Sequence, residues 1–509
     1  MLPTWLKAFF ATKPVHRHGH APDVHEHPQG GLHRTLGLLP LTMIGVGATV
    51  GTGIFFTLTE AVPKAGPSVL LSFLLAALTA GLTALCYAEL SFRVPAAGSS
   101  YSFAYATVGE FPAFVVAFCL LLEYGLAGSA TAIGWSDYLN NFLQLTTGWQ
   151  IPEALRKPML VATPEGVQWV PGQFNLAPIL LVALCGVLLL RGTRESATTN
   201  TVMVLIKLGI LAFFAAVAFT GFDASHFTPF FNTDTAHGLD GMHGVTAAAA
   251  TVFFSFIGLD TVATGGEETH EPHRTVPRAL LLALTLVTVF YLLVAVAALG
   301  AQPASAFAGQ EAGLAVILQN VTGQHWPAQL LSAGAVISVF SVTLMSIYGQ
   351  TRILYAISRD GLLPPALHRL HPVTRAPVTN TVLVCLLVGA VAGLVDATLL
   401  WDMVSMGTLS AFIVVSVAVP VLRRKLAREG HVDEASGEPA QGFRVPFGPY
   451  LVPGLSVLAC LYIMKDLQAI TFQVFGVWMV LAVLAYVLYA RRHSRLPELL
   501  RRMQRDGAR

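Results

Sequence analysis

Lys207 stands alone in the run Val204-Leu205-Ile206-Lys207-Leu208-Gly209, well inside an apolar segment. An ammonium at the centre of a bilayer costs about 2.5–3.5 kcal/mol on insertion scales, so its default reading is functional. The bland alternative is snorkelling of the amine to an interface, and the depth of the residue argues against it. A desolvated lysine also gives up its proton more readily than one in water, which makes Lys207 the candidate proton-coupling group. Two acids stand at comparable depth, Glu123 and Asp260. Either can relay protons, neutralise a positive substrate, or hydrogen-bond to irregular backbone. Glu89 has Arg93 four residues on, the spacing of a helical ion pair, and reads as a gate or a structural salt bridge. Glu267 and Glu268 fall near a segment end, where solvation explains them.

The second kind of chemistry lies in backbone. Ile44-Gly45-Val46-Gly47-Ala48-Thr49-Val50-Gly51-Thr52-Gly53-Ile54-Phe55 carries glycine at every second position from 45 to 47 and again from 51 to 53. Each costs about 1 kcal/mol in a helix interior. Irregular backbone at membrane depth is tolerated only inside protein or beside a cavity. Close helix packing through small residues is the alternative. Alternate glycines fall on all faces of a helix, which favours an unwound segment. A second interruption reads Phe253-Phe254-Ser255-Phe256-Ile257-Gly258-Leu259-Asp260. Each is followed by a short polar connection and a proline, Pro67 and Pro277, at the opening of the next segment. An unwound helix presents free N–H groups with about half a positive charge at one half-helix and free carbonyls at the other. Two such breaks facing each other suit the carboxylate and amino group of a free amino acid.

The elements that must position these groups follow from composition. The chain has 509 residues, 54% hydrophobic and only 11% charged, against about 25% charged in soluble domains. It reads as a polytopic, all-α integral membrane protein. Apolar windows centre near residues 48, 79, 120, 182, 210, 255, 288, 342, 387, 412, 457 and 481, which predicts twelve transmembrane helices. With both termini cytoplasmic, nearly all of the 30 lysines and arginines fall inside. Only Lys64, Arg156, Lys157 and Lys465 fall outside, and Lys207 lies within a span. The net charge of +2 disfavours a nucleic-acid partner. Cys86, Cys119, Cys185, Cys385 and Cys460 lie in apolar stretches and read as core hydrophobes.

The two interruptions are five spans apart. Matching broken segments in two halves point to an inverted-repeat transporter with a midplane site. The expected organisation is an N-terminal cytoplasmic segment 1–31 with a short interfacial helix, a first repeat 32–221 and a second 240–425. A cytoplasmic linker 426–445, two further helices 446–491 and a basic tail 492–509 complete it. The N-terminal segment lacks the pattern of a cleavable signal. Its histidines, from His16 to His33, can bind metal but read better as a solvated tail, and no metal site is assigned.

The strings GVGATVGTGIF, CYAELSFRVPAAGSSYSFAY, LEYGLAGSATAIGWSDYL, EETHEPHRTVPRA and YGQTRILYAISRDGLLP resemble amino acid permeases of the amino acid, polyamine and organocation superfamily. The pattern is most like the cationic amino acid transporter family and its bacterial members. The resemblance spans residues from about 32 to 492 in the family's order, and implies a LeuT-like 5+5 inverted repeat with discontinuous helices 1 and 6. It implies secondary active amino acid transport, commonly proton-coupled, with the proton in place of any cofactor. By that resemblance the backbone of Thr49, Thr52 and Gly53 binds the substrate carboxylate. The carbonyls of Phe254, Ser255 and Ile257 bind the amino group, and Phe254 closes the site from outside. The matching lysine in proton-coupled relatives occupies the place of a sodium ion between spans 1, 5 and 8. Met345 falls near the substrate side chain, where its bulk favours a neutral L-amino acid.

The expected partners are that small molecule and the lipid bilayer; an accessory membrane subunit is compatible with the resemblance. The expected place is the plasma (inner) membrane. An amino acid exchanger on the same fold is the first rival and a transporter-derived sensor a second. A channel lacks its filter loop or acid rings. An enzyme lacks a deep histidine–carboxylate cluster: His226, His237, His243, His270, His273 and His325 all fall in loops or at span ends.

Overall fold

A computed structural model describes residues 10–13, 36–51, 53–94, 99–163, 166–191, 197–233, 239–264, 269–371, 377–428 and 443–506. Thr52, Glu267, Glu268, the histidine-bearing tail, most of the expected N-terminal helix and the linker 430–441 lie outside these. Helices dominate: α1 Leu38–Thr49, α2 Thr57–Ala65, α3 Val69–Arg93, α4 Ser99–Thr107 and α5 Glu110–Thr147. A hairpin of β1 Leu160–Thr163 and β2 Gly166–Trp169 precedes α6 Leu176–Arg191 and α7 Ala197–Ala218. Then come α8 Gly241–Phe253, α9 Thr261–Thr264, α10 Pro272–Ala301, α11 Gly313–Thr322, α12 His325–Arg359, α13 Val378–Leu394 and α14 Ala397–Arg428. The last are α15 Leu451–Met464, α16 Ala469–Ala485 and α17 Leu496–Asp506.

Eight helical stretches among the described residues are long and apolar enough to cross a membrane, and five shorter apolar helices accompany them. The sequence reading expects twelve spans, four more than these eight. Broken helices such as α1, and compact ones such as α6, α13 and α15, fall short of the length needed alone. Large apolar side chains face outward on the peripheral helices, among them Leu386 and Leu387 on α13, Leu458 and Leu461 on α15, and Val477, Val480 and Leu481 on α16. A soluble surface does not carry apolar patches on this scale, and the covering they require is lipid.

Two packed groups position the interior. In the first, α10 lies against α3 and α1, while α2 and α3 lie against α8. In the second, α5 runs along α12, and α6 and α13 pack on both. Helix α14 lies on α5, and α7 bridges the groups through α1, α10 and α12. The second group has the longest element: α5 has 38 residues, about 57 Å at 1.5 Å per residue, enough to clear a hydrocarbon core of about 30 Å at both ends. Pro67 sits in the 3₁₀ turn that opens α3, as the sequence implies. Pro272, not Pro277, opens α10; Pro277 lies inside that helix.

Candidate functional site

The two glycine-bearing interruptions are real breaks, and they cross. Helix α1 stays wound through Gly45 and Gly47 to Thr49, then Val50 turns extended (φ −75°, ψ 120°) and Gly51 takes φ +120°. Winding resumes at Thr57. Close packing accounts for Gly45, where a Cβ would strike the Val262 side chain and lie 3.0 Å from Ala283 Cβ. Thus each reading of the glycine run holds for part of it: packing at 45, unwinding from 50 onward. In the second break, α8 tightens into a 3₁₀ turn at Phe254–Phe256, Ile257 is extended, and Gly258 takes φ +102° before α9. Each break presses on the other through a glycine. A Cβ on Gly53 would overlap Ser255, and one on Gly258 would lie 2.8 Å from the Ala48 carbonyl oxygen. Only glycine permits both the positive φ and that approach at 258.

The structure therefore brings Thr49, Gly53 and Ser255 together, all buried, with Phe254 and Ile257 beside them. Ser255 Oγ and Thr57 Oγ1 share a hydrogen bond of 3.1 Å. The carbonyls freed by unwinding do not stand bare. The Tyr291 hydroxyl lies 2.9 Å from the Thr49 oxygen and 2.8 Å from that of Ser255, in position to donate to both. Tyr138 Oη donates to the Phe55 carbonyl at 2.9 Å. The Phe254 ring stands 6.3 Å from that of Trp401, tilted by 41°.

Lys207 projects from α7 into the same region, buried, and its Nζ donates to the Gly47 carbonyl at 3.1 Å. A Cβ added to Gly51 would lie 3.9 Å from that Nζ, 3.7 Å from the Ser338 carbonyl and 3.1 Å from the Val342 side chain. The ammonium thus sits where α1, α7 and α12 meet. Met345 lies half-buried on α12, about one turn beyond Val342.

Glu123 and Asp260 form a separate buried pair whose charges act on each other. Asp260 accepts hydrogen bonds from Ser99 Oγ and Tyr124 Oη, both at 3.2 Å. Asp260 thereby joins the second break to α4 and α5. Sequence reading named both acids without seeing them as neighbours, since 137 residues of chain separate them and no periodicity spans that gap.

Charged groups close both ends of the bundle. Glu89 meets Arg423 of α14 in a two-pronged pair, 2.6 Å to Nε and 2.5 Å to Nη2, and also accepts from the Val445 amide at 2.8 Å. Arg93, the partner four residues on, is looser at 3.8 Å. Lys13 pairs with Asp360 at 3.1 Å at the same end. At the other end Glu311 is held by Arg156 and Lys157, each at 2.6 Å. The residues missed from sequence are Tyr291, Tyr138 and Arg423. A tyrosine inside an apolar helix was the available signal, because a buried phenol must find an acceptor.

The family model for amino acid permeases matches residues 36–492. The branched-chain amino acid permease BcaP of Bacillus subtilis is 38% identical over 91% of this chain and 95% of its own. The methylthioribose transporter of the same organism is 37% identical with equal coverage. The vacuolar cationic amino acid transporter 2 of Arabidopsis thaliana is 35% identical over 77% of this chain and 60% of its own. With a match that covers nearly the whole chain and its two crossing breaks, the protein belongs to the amino acid permease family.

Proposed function

We propose that this protein is a proton-coupled importer of neutral L-amino acids, working by alternating access around the crossed breaks. The observation that carries the reading is the Lys207 ammonium on the Gly47 carbonyl, at the junction of α1, α7 and α12. A fixed positive charge there does what a bound coupling cation would do for the unwound carbonyls, and its loss of a proton would release them. The substrate carboxylate would meet the amides of the first break at Thr49, Thr52 and Gly53. The amino group would meet the carbonyls of Phe254, Ser255 and Ile257, each with a second lone pair available. Glu123 and Asp260 would pass the proton onward. The element order supports a 5+5 inverted repeat of twelve spans, because α4 follows α3 as α11 follows α10, each a short helix after the span that succeeds a break.

Neutral substrates are favoured by Met345 and by the branched-chain permeases among the relatives, a second of which, from Lactococcus lactis, is 30% identical. The methylthioribose transporter puts an uncharged sugar thioether on the list of competitors worth testing. The excess of lysines and arginines on one side supports cytoplasmic termini, and import of amino acids would put the protein in the plasma membrane. The test is uptake by purified protein in liposomes holding no internal substrate, screened over the twenty amino acids with and without a pH gradient. Uptake of alanine or leucine raised by an inward proton gradient is expected. Uptake only when the lumen is preloaded with amino acid would establish the exchanger instead, and preference for arginine would overturn the neutral assignment.

A further inference from the structure

We propose that Tyr291 is a positioning residue that fastens the two broken helices into one rigid unit, so that the binding site moves whole as access alternates. The proposal rests on reading the crossed breaks as the substrate site. Tyr291 is the side chain whose hydroxyl reaches a carbonyl of each break, Thr49 at 2.9 Å and Ser255 at 2.8 Å. These two residues are 206 apart in sequence and meet only through the fold. A phenol has one proton to share between two acceptors, and both acceptors are buried with it. Its ring is wedged in place edge-on, 5.4 Å from Phe256 and 6.1 Å from Phe73. The hydroxyl is therefore held at one point in space rather than free to follow either carbonyl.

The packing says what this bond is for. Tyr291 belongs to α10, which packs with α1 and α3, and α3 packs with α8 and α2, so donor and both acceptors lie in the same group of helices. A rigid-body rearrangement of that group against the α5–α12 group leaves all three atoms together. Tyr138 offers the contrast. It sits on α5, in the other group, and its hydroxyl bonds across to Phe55 in the first break at 2.9 Å. That bond joins the groups and must be remade whenever they move. One tyrosine thus preserves the shape of the site, whereas the other contributes to the barrier between states.

Loss of the Tyr291 hydroxyl removes the one group that ties the Thr49 carbonyl to the Ser255 carbonyl and lets the breaks separate, so the geometry offered to a ligand with both a carboxylate and an amine is degraded. Tyr291→Phe keeps the ring and its packing. Its expected effect is a rise of about tenfold in KM for uptake, the weight of a buried hydrogen bond, with Vmax within about twofold of the parent. Tyr138→Phe is expected to change Vmax and to leave KM nearly alone. Equal KM rises in the two variants, or a fall in Vmax at unchanged KM for Tyr291→Phe, would overturn the proposal. Hydrogen–deuterium exchange supplies a readout that needs no substrate: Tyr291→Phe should quicken exchange in both 47–56 and 253–262. Quickened exchange in only one segment, or in neither, also overturns it. Absence of any amino acid uptake by the parent protein would instead sink the assignment of the site, and the exchange experiment would still decide the fastening.

Discussion

At the scale of single residues, the account depends on what surrounds a charge or a hydroxyl rather than on its identity. Lys207→Met removes the donor to Gly47 and the proton carried by the ammonium, so a pH gradient should no longer drive uptake by the variant, while counterflow exchange should persist. Gradient-driven uptake by Lys207→Met at the parent rate would refute the coupling role. Met345→Ser should open space beside the first break, and arginine should then compete better with leucine than it does in the parent. Unchanged competition would detach Met345 from the substrate side chain. Lys207 was legible in sequence because a lone cation in an apolar run is costly wherever it lies. Tyr291 was not, since a tyrosine in an apolar helix advertises only that it needs an acceptor, not which backbone will supply one.

Among the elements, the two breaks show what sequence can and cannot give. Glycine content located both interruptions, because positive φ at Gly51 and Gly258 leaves a compositional mark. It overestimated the length of the first, since Gly45 is there to admit Val262 and Ala283 to the face of a helix that remains wound. Gly258→Ala should be among the most damaging small substitutions, combining a strained φ with a Cβ pressed on Ala48. A cost above about 1 kcal/mol is expected, read as a lowered unfolding temperature in detergent together with lost ligand binding. A wild-type melt would show that the breaks do not touch as described. The Glu89 partnership makes a similar point at the bundle end. The i,i+4 rule pointed to Arg93, yet the helix-to-helix approach of α14 delivers Arg423, which local spacing cannot foresee. The Glu89 side chain is 1% exposed and that of Arg423 20%. Arg423→Ala therefore takes the two-pronged cation from a buried carboxylate and leaves it the Val445 amide and the looser Arg93, at a cost of up to about 3–5 kcal/mol, and adding Glu89→Gln should recover much of the loss. Equal instability of single and double variants would argue that Arg423 acts through packing instead.

For the whole molecule, scarcity of charge pointed to a membrane protein and the distribution of lysine and arginine gives the expected orientation, both global properties that need no contact information. Element lengths were less legible, as broken and compact helices fall below the simple length criterion. The hairpin and α17 lie at opposite ends of α5: Glu110 at its start accepts from Ser494, and the segment carrying Lys157 follows its far end. A single cysteine replacing Lys157 in a cysteine-free background should react with an impermeant maleimide in intact cells. One replacing Arg492 should react only after permeabilisation, and the reverse pattern would invert the topology. The central claim, that proton movement powers amino acid accumulation at the crossed breaks, has a direct measurement. Purified protein in sodium-free liposomes, empty of amino acid and given an acidic exterior, should accumulate labelled leucine above the outside concentration and lose it on addition of a protonophore. Leucine that merely equilibrates, or accumulates only when sodium is supplied, would contradict the account.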